Sequence, residues 1–190
     1  MPDLTFDIEW PVRTARLELR PASHGDLEAS WSYRKLDAVS RWLTRSPQSF
    51  TEHAEHYGDP RSLAKTVVVE HRGRVVGDLM IDIGDGWSQD EVAERARGVQ
   101  ADLGWVFHPD ATGRGLATEA VRAVLRICFE HLGLRRVVAE CFAANESSWR
   151  LMERVGMRRE SHTVRDALHR SGDWLDSFGY ALLADDWSEI

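Results

Sequence analysis

The chain has 190 residues, 43% of them hydrophobic and eight of them Trp, which suits one domain over residues 1–190 with a single core. A formal charge of −7 offers no general attraction for nucleic acid or an anionic membrane, and no apolar run approaches the ~20 residues that span a bilayer. Cys128 and Cys141 stand in apolar surroundings without CxxC or His/Cys spacing, which predicts two buried, reduced thiols and no metal site. With Asp3, Asp7 and Glu9 interrupting any leader-like start, the expectation is a soluble cytoplasmic protein.

Along the chain, Leu17 and Leu19 alternate with Arg16, Glu18 and Arg20, a short strand stopped by Pro21. Ser23, with Asp26 three residues on, caps a first helix whose Leu27 and Trp31 share a face. A second helix is predicted from Ser46 as cap and Pro47 in the first turn, with Phe50, Ala54 and Tyr57 at i, i+4, i+7 and Gly58 as its end. The runs Thr66 to Glu70 and Val75 to Ile83 flank a turn at Arg72, Gly73 and Arg74 and read as a hairpin. Gly84 to Gln100 is a polar, acidic loop.

A strand from Asp102 to Phe107 is closed by His108 and Pro109. The long helix that follows carries Val121, Val124, Leu125, Cys128 and Leu132 on one face and ends at Gly133. Val137 to Phe142 is a buried strand. Asn145 caps a helix carrying Trp149, Met152 and Val155 that ends at Gly156, and strands around Arg158 to Arg165 and Ser177 to Leu183 complete the chain. The sum is an α+β domain with a mixed, mostly antiparallel sheet and one strand–helix–strand unit in its middle.

Between that central strand and helix lies Thr112-Gly113-Arg114-Gly115-Leu116-Ala117. Glycine permits close backbone approach and positive φ, and a helix start presents unpaired N–H groups and a positive dipole end, so the turn is a candidate anion site. On these six residues alone a plain tight turn is an equal reading. A P-loop is excluded because GxxxxGK[ST] is absent, and a dinucleotide fingerprint because position 118 is Thr.

The run Asp102 to Ala120 resembles the core of the GNAT superfamily of acyl-CoA N-acyltransferases, a strand followed by a Q/R-x-x-G-x-G/A phosphate loop. Thr14 to Pro21, Asn145 to Met157 and Gly172 to Tyr180 resemble, in order, segments of its ribosomal-protein N-terminal acetyltransferase-like branch. The resemblance implies a central sheet of about six or seven strands flanked by helices, with a central strand–helix–strand acyl-CoA site. It implies acetyl-CoA as cosubstrate and no metal. The amides of Gly113, Arg114, Gly115, Leu116 and Ala117 would hold the pyrophosphate, with Arg114 adding a charge-assisted contact. Thr112 departs from the usual Gln or Arg. The backbone of Trp105, Val106 and Phe107 would pair with the pantetheine arm, and an amide there would stabilise the oxyanion.

Asn145 matches the position that contacts pantetheine, besides serving as a helix cap. Ser148 matches the position near the sulfur that donates to the leaving thiolate, or is a solvent-facing serine. The Tyr found four residues later in many relatives is Met152 here. An amine nucleophile of pKa near 10 needs a base, and Asp102 is the first candidate, with pairing to an arginine as its structural alternative. Glu70 and Glu140 are reserves, and Asp82 and His71 read as solvated hairpin residues. Trp87 and Trp31 are candidate walls of the acceptor pocket, Trp31 with a helix-face role as the alternative, and Arg122 is a candidate for the ribose phosphate. The expected partners are acyl-CoA and a primary amine, without nucleic acid or membrane and with a homodimer left open. Two functions follow: acetyl transfer to a primary amine, or an acyl-CoA-binding regulatory module without turnover.

Overall fold

The computed structural model describes residues 8–188; residues 1–7 and 189–190 of the domain expected over 1–190 lie outside the described residues. The chain forms two compact units. Of the described residues, one comprises 8–81 together with Gly104–Ala123, the other Asp82–Leu103 together with 124–188.

In the first unit, strands β1 (Val12–Arg13), β2 (Glu18–Pro21), β3 (Thr66–His71) and β4 (Arg74–Gly84) lie side by side in that order, each antiparallel to the next. Leu19 faces Val69, and Val67 faces Leu79. Val67, Val68 and Val69 are all fully buried, so this β-branched run is covered on both faces and does not alternate. Helix α1 (Leu27–Arg34) follows a 3-10 turn in which Ser23 and Asp26 form the expected capping box. Helices α2 (Asp37–Ser40), α3 (Phe50–Tyr57) and α4 (Pro60–Leu63) follow.

The cap of α3 is Ser49, not Ser46: the Ser49 hydroxyl accepts from the Glu52 amide at 3.1 Å. Glu52 in turn accepts from the Gln48 amide at 2.8 Å. Ser49 has a Glu three residues on, whereas Ser46 has only Ser49 there, so the side-chain chemistry outweighs the signal from Pro47.

In the second unit, the start of β5 (Gln100–Phe107), then β6 (Arg136–Phe142), β8 (Trp174–Leu183) and β7 (Arg158–Leu168) are neighbours in that order. β5 and β6 are parallel, with Ala101 opposite Val137, and the other two pairings are antiparallel. The described residues thus hold eight strands against the six or seven expected, and the two-residue β1 carried no alternation to announce it. Helix α5 (Leu116–Arg126) runs into a π turn at Ile127–His131 before Gly133 at φ +63. Helix α6 is Glu146–Arg154.

Two further expectations are adjusted in this unit. The loop from Gly84 contains a 3-10 stretch at Asp90–Ala96, and β5 starts two residues before Asp102. Cys128 is buried but Cys141 only half-buried, so the thiols are not equivalent. Strand β7 is exposed along nearly its whole length. Its ladder slips between Thr163 and Ala167, where Arg165 takes φ +51 and its amide donates to Asp176 at 3.0 Å.

Candidate active site

The glycine turn has the backbone its sequence calls for. Gly113 and Gly115 adopt φ +73 and +75, a region costly for residues with a Cβ, and α5 starts at Leu116, whose side chain is 1% exposed. The buried leucine fixes the helix start in the core. The amides of the first turn have no carbonyl within the helix to bond, so they are left to a ligand or water. Arg114 and Thr112 are exposed at the rim.

What holds the turn is a set of residues the sequence did not single out. Glu119, in the first turn of α5, accepts from the Thr14 hydroxyl at 2.6 Å, the Arg16 amide at 2.8 Å and Arg16 Nε at 2.7 Å. These contacts and the Arg16 charge hold the Glu119 carboxyl below its ordinary value against the opposing effect of burial. Arg16 Nη1 also donates to the Arg114 carbonyl at 2.8 Å, and a Cβ on Gly115 would stand 3.4 Å from Arg16 Nη2. His71, expected to be merely solvated, meets the Arg16 carbonyl through Nδ1 at 3.0 Å and stands 3.5 Å from Arg114 Nη2 through Nε2.

Beside the turn runs the end of β5. The His108 amide donates to the Val76 carbonyl at 2.8 Å, which docks this end of β5 on β4. The approach is close: a Cβ on Gly77 would stand 2.5 Å from the Phe107 ring and 2.6 Å from the Val106 carbonyl, so glycine is required there. Val106 is buried, while Trp105 and Phe107 are half-buried.

Helix α1 and the 3-10 turn before it are fastened to β2, β3 and β4 by part-buried ion pairs. Arg20 bridges Asp26 and Glu70, both at 2.7 Å, which commits the reserve base Glu70 to a structural pair. Tyr33 donates to Asp78 at 2.5 Å and Arg34 pairs with the other carboxylate oxygen at 2.5 Å. Asp78 is 2% exposed, and a buried carboxylate of this kind stands only because both its oxygens are matched. Trp31 stacks on His53 at 5.4 Å, and His53 in turn meets the Ser30 hydroxyl at 2.8 Å. Trp31 is therefore half-buried against α3 and belongs chiefly to the helix interface.

The second unit holds the other expected residues. Asp102 is exposed on β5 between buried Ala101 and Leu103. Asn145 occupies the N-cap position of α6 but makes no side-chain cap bond; its Oδ1 accepts from the Ser147 hydroxyl at 2.9 Å instead. The predicted capping role is thus corrected, because φ −86 and ψ 72 at Asn145 depart from the extended geometry that aims a cap side chain at the helix amides. Ser148 is half-buried and donates to the Cys141 thiol, as does the Trp149 amide, while burial pushes that thiol up to about 11. Met152 is 1% exposed and belongs to the core. Trp87 is 95% exposed, so within its unit it forms no wall. Among the described residues, no group of three or more His, Cys, Asp or Glu could hold a metal, and no helix is long and apolar enough to cross a membrane.

This chain belongs to the GNAT acetyltransferases: the family model described as an Acetyltransferase (GNAT) domain matches residues 16–158. Bacillus subtilis YoaA, an uncharacterized N-acetyltransferase, is 27% identical over 180 residues, covering 90% of this chain and 96% of its own. Bacillus subtilis YnaD is 36% identical over 87 residues, 46% of this chain and 51% of its own, so the match spans about half the length of that relative. The Escherichia coli ribosomal protein uS5-alanine N-acetyltransferase is 30% identical over 86 residues, 45% of this chain and 44% of its own.

Solved structures agree on the fold. A GNAT-family acetyltransferase from Bacillus anthracis superposes with a TM-score of 0.77 at 26% identity, covering 92% of this chain and 98% of its own. Mycobacterium smegmatis RimJ, solved in complex with CoA-disulfide, gives 0.76 at 23% identity, covering 95% and 91%.

Proposed function

We propose that the protein transfers an acetyl group from acetyl-CoA to a primary amine by direct attack. The observation that carries this reading is the Gly113–Ala117 turn, set at positive φ before an 11-residue helix and locked from beneath by Arg16 and Glu119, in a chain of the GNAT family. Such a turn suits a diphosphate, because the amides supply donors without desolvating a lysine. The neighbouring backbone of Trp105 to Phe107 would carry the pantetheine arm and present an amide to the carbonyl oxygen.

In the reaction the free amine attacks the thioester carbonyl, the new C–N bond forms, and the C–S bond breaks. The thiolate then takes a proton. Ser148 would donate it, and Asp102 would accept the proton of the ammonium form, through water if needed. For Ser148 to act, its hydrogen must leave Cys141 and turn to the incoming sulfur. Asn145, whose side chain makes no bond to the helix amides and whose NH₂ group is a donor, would hold pantetheine. Trp87 and, more weakly, Trp31 would border the acceptor. The acceptors named for relatives and neighbours, a ribosomal protein alanine and spermidine, set the range to be tried. The cytoplasm is the compartment where acetyl-CoA and such amines meet.

A second reading, an acyl-CoA-binding module without turnover, draws on the Ser148–Cys141 bond and on buried Met152 in place of a Tyr. Both are tested by mixing the protein with acetyl-CoA and a panel of peptide N-termini, amino acids and polyamines while following free thiol. Thiol release above background with one amine supports catalysis. Tight CoA binding with no release for any amine supports the module, and absence of CoA binding sinks both.

A further inference from the structure

Met80 stands apart from its neighbours on β4. Leu79 and Ile81 beside it are 0% and 1% exposed, and Thr66, its partner across the ladder, is buried as well. Met80 is only half-buried. Alternation along the strand puts its side chain on the face of Asp78, about 7 Å beyond the point where Tyr33 and Arg34 of α1 meet that carboxylate. The helix closes over Asp78, which is 2% exposed, and Met80 stands past that cover with an apolar thioether left half-open.

On the neighbouring β5, in the same unit, Met80 meets Gly104. A Cβ built on Gly104 would stand 3.7 Å from Met80 Cε and 3.8 Å from Met80 Cβ, and among the described residues nothing else outside the adjoining chain comes within 4 Å. Root and tip of the side chain both lie that close, so the thioether is laid flat across the bare face of the glycine. Both distances are ordinary contacts, so packing does not demand glycine here as it does at Gly77. What Gly104 provides is a shallow recess with a flexible apolar group as its wall.

The direction of the strand gives that recess a use. The Gly113–Ala117 turn follows the C-terminal end of β5, so an arm carried on the backbone of Phe107, Val106 and Trp105 runs from the turn back toward Gly104. Its thioester end and the acyl chain then emerge beside Gly104 and Met80. Resting on the acyl-CoA reading above, we infer that Met80, laid across Gly104, is the residue that limits the acyl group to short chains. An acetyl methyl lies against the thioether, and each further methylene has to push it aside. A surplus methylene in an apolar pocket costs about 10- to 200-fold in discrimination, and the flexibility of Met places this wall at the lower end. The ligands are thus acetyl-CoA and, less well, propionyl-CoA, with butyryl-CoA and longer chains disfavoured.

Calorimetric titration of the whole chain with CoA, acetyl-CoA, propionyl-CoA and butyryl-CoA tests this without an acceptor amine. The wild type should bind acetyl-CoA about tenfold or more tighter than butyryl-CoA. Met80→Ala, which cuts the side chain back to its root, should bring that ratio close to one while the affinity for free CoA, which carries no acyl group, moves little. Met80→Leu, close to Met in volume, should keep most of the preference. Gly104→Ala sets a methyl in ordinary contact with Met80 and should sharpen the preference for acetyl over propionyl. A wild type that binds CoA but shows no preference among the acyl groups, or a preference that Met80→Ala leaves unchanged, overturns the role of Met80 and leaves the acyl-CoA reading standing. Equal weakening of all four ligands in Met80→Ala overturns it too, marking Met80 as a packing residue. A wild type that binds none of the four overturns this inference together with the acyl-CoA reading.

Discussion

Replacing Glu119 with Gln tests whether the turn is held from beneath. In the native protein one carboxylate oxygen accepts from the Thr14 hydroxyl and the Arg16 amide, and the other from Arg16 Nε. A glutamine can keep its carbonyl on the first pair but then turns an NH₂ toward the guanidinium, donor against donor. A hydrogen bond to a charged group contributes about 1.5–3 kcal/mol, and because the Arg16 side chain is 45% exposed the lower end applies. Unfolding in urea should therefore show a loss of about 1.5 kcal/mol. The second effect is local: an Arg16 freed from Glu119 no longer steadies the Arg114 carbonyl, so CoA affinity should fall about fivefold or more as the turn loosens. Arg16→Lys, which keeps the charge but not the fork, should fall between wild type and Glu119→Gln in CoA affinity. If Glu119→Gln leaves both urea midpoint and CoA affinity unchanged, the lock does not support the site.

Other outcomes follow from the same geometry. Burial first, and the nearby Arg34 charge second, push His53 down to about 4 from 6.5, so the unfolded chain takes up a proton that the folded one refuses. His53 should thus cost nothing above pH 6.5 and destabilise progressively as pH falls toward 4, by up to about 3 kcal/mol; His53→Gln in a pH series of thermal melts should flatten that limb. Gly113→Ala and Gly115→Ala should each lose roughly 1–2 kcal/mol for a Cβ at positive φ, as read by urea unfolding. Only the Gly115 variant also sets a methyl 3.4 Å from Arg16 Nη2, so it should weaken CoA more in titration. Ser148→Ala should lower kcat by roughly 10- to 100-fold with little change in CoA affinity, and an unchanged kcat would assign the proton to water. Asp102→Asn should slow turnover most at neutral pH and less in alkali, where free amine is plentiful; a pH-independent loss would remove it as the base.

Much of this molecule is written locally. The β3–β4 hairpin follows from β-branched runs around Gly73, and the phosphate turn from two glycines between a strand and an amphipathic helix. Helix α6 begins where Asn145 stands, although the side chain does not perform the capping that its identity suggests. The residues that the sequence hid are long-range pairs. Arg16 and Glu119 lie 103 positions apart, and Tyr33 and Asp78 lie 45 apart. No period links such partners, because their meeting depends on how strands are ordered rather than on any segment's own preference. Trp87 was more legible: in a polar loop it had little to be buried against, and the fold leaves it 95% exposed. Ser148 and Cys141 sit on different elements, so their bond was equally hidden.

The slipped register of β7 bears on the protein's behaviour in a crowded solution. As the last strand in its row it offers open backbone donors and acceptors over Arg158–Leu168, with Val164 and Leu168 uncovered, a template that another chain could extend. The left-handed Arg165 interrupts the straight run, and Asp176 takes up its amide, so an incoming strand would find one donor missing and its path bent. Arg159, Glu160, Arg165 and Asp166 further set alternating charges along this strand. A single kinked arginine thus serves as a guard against fibrous self-assembly, and straightening it would be felt first in solubility rather than in catalysis.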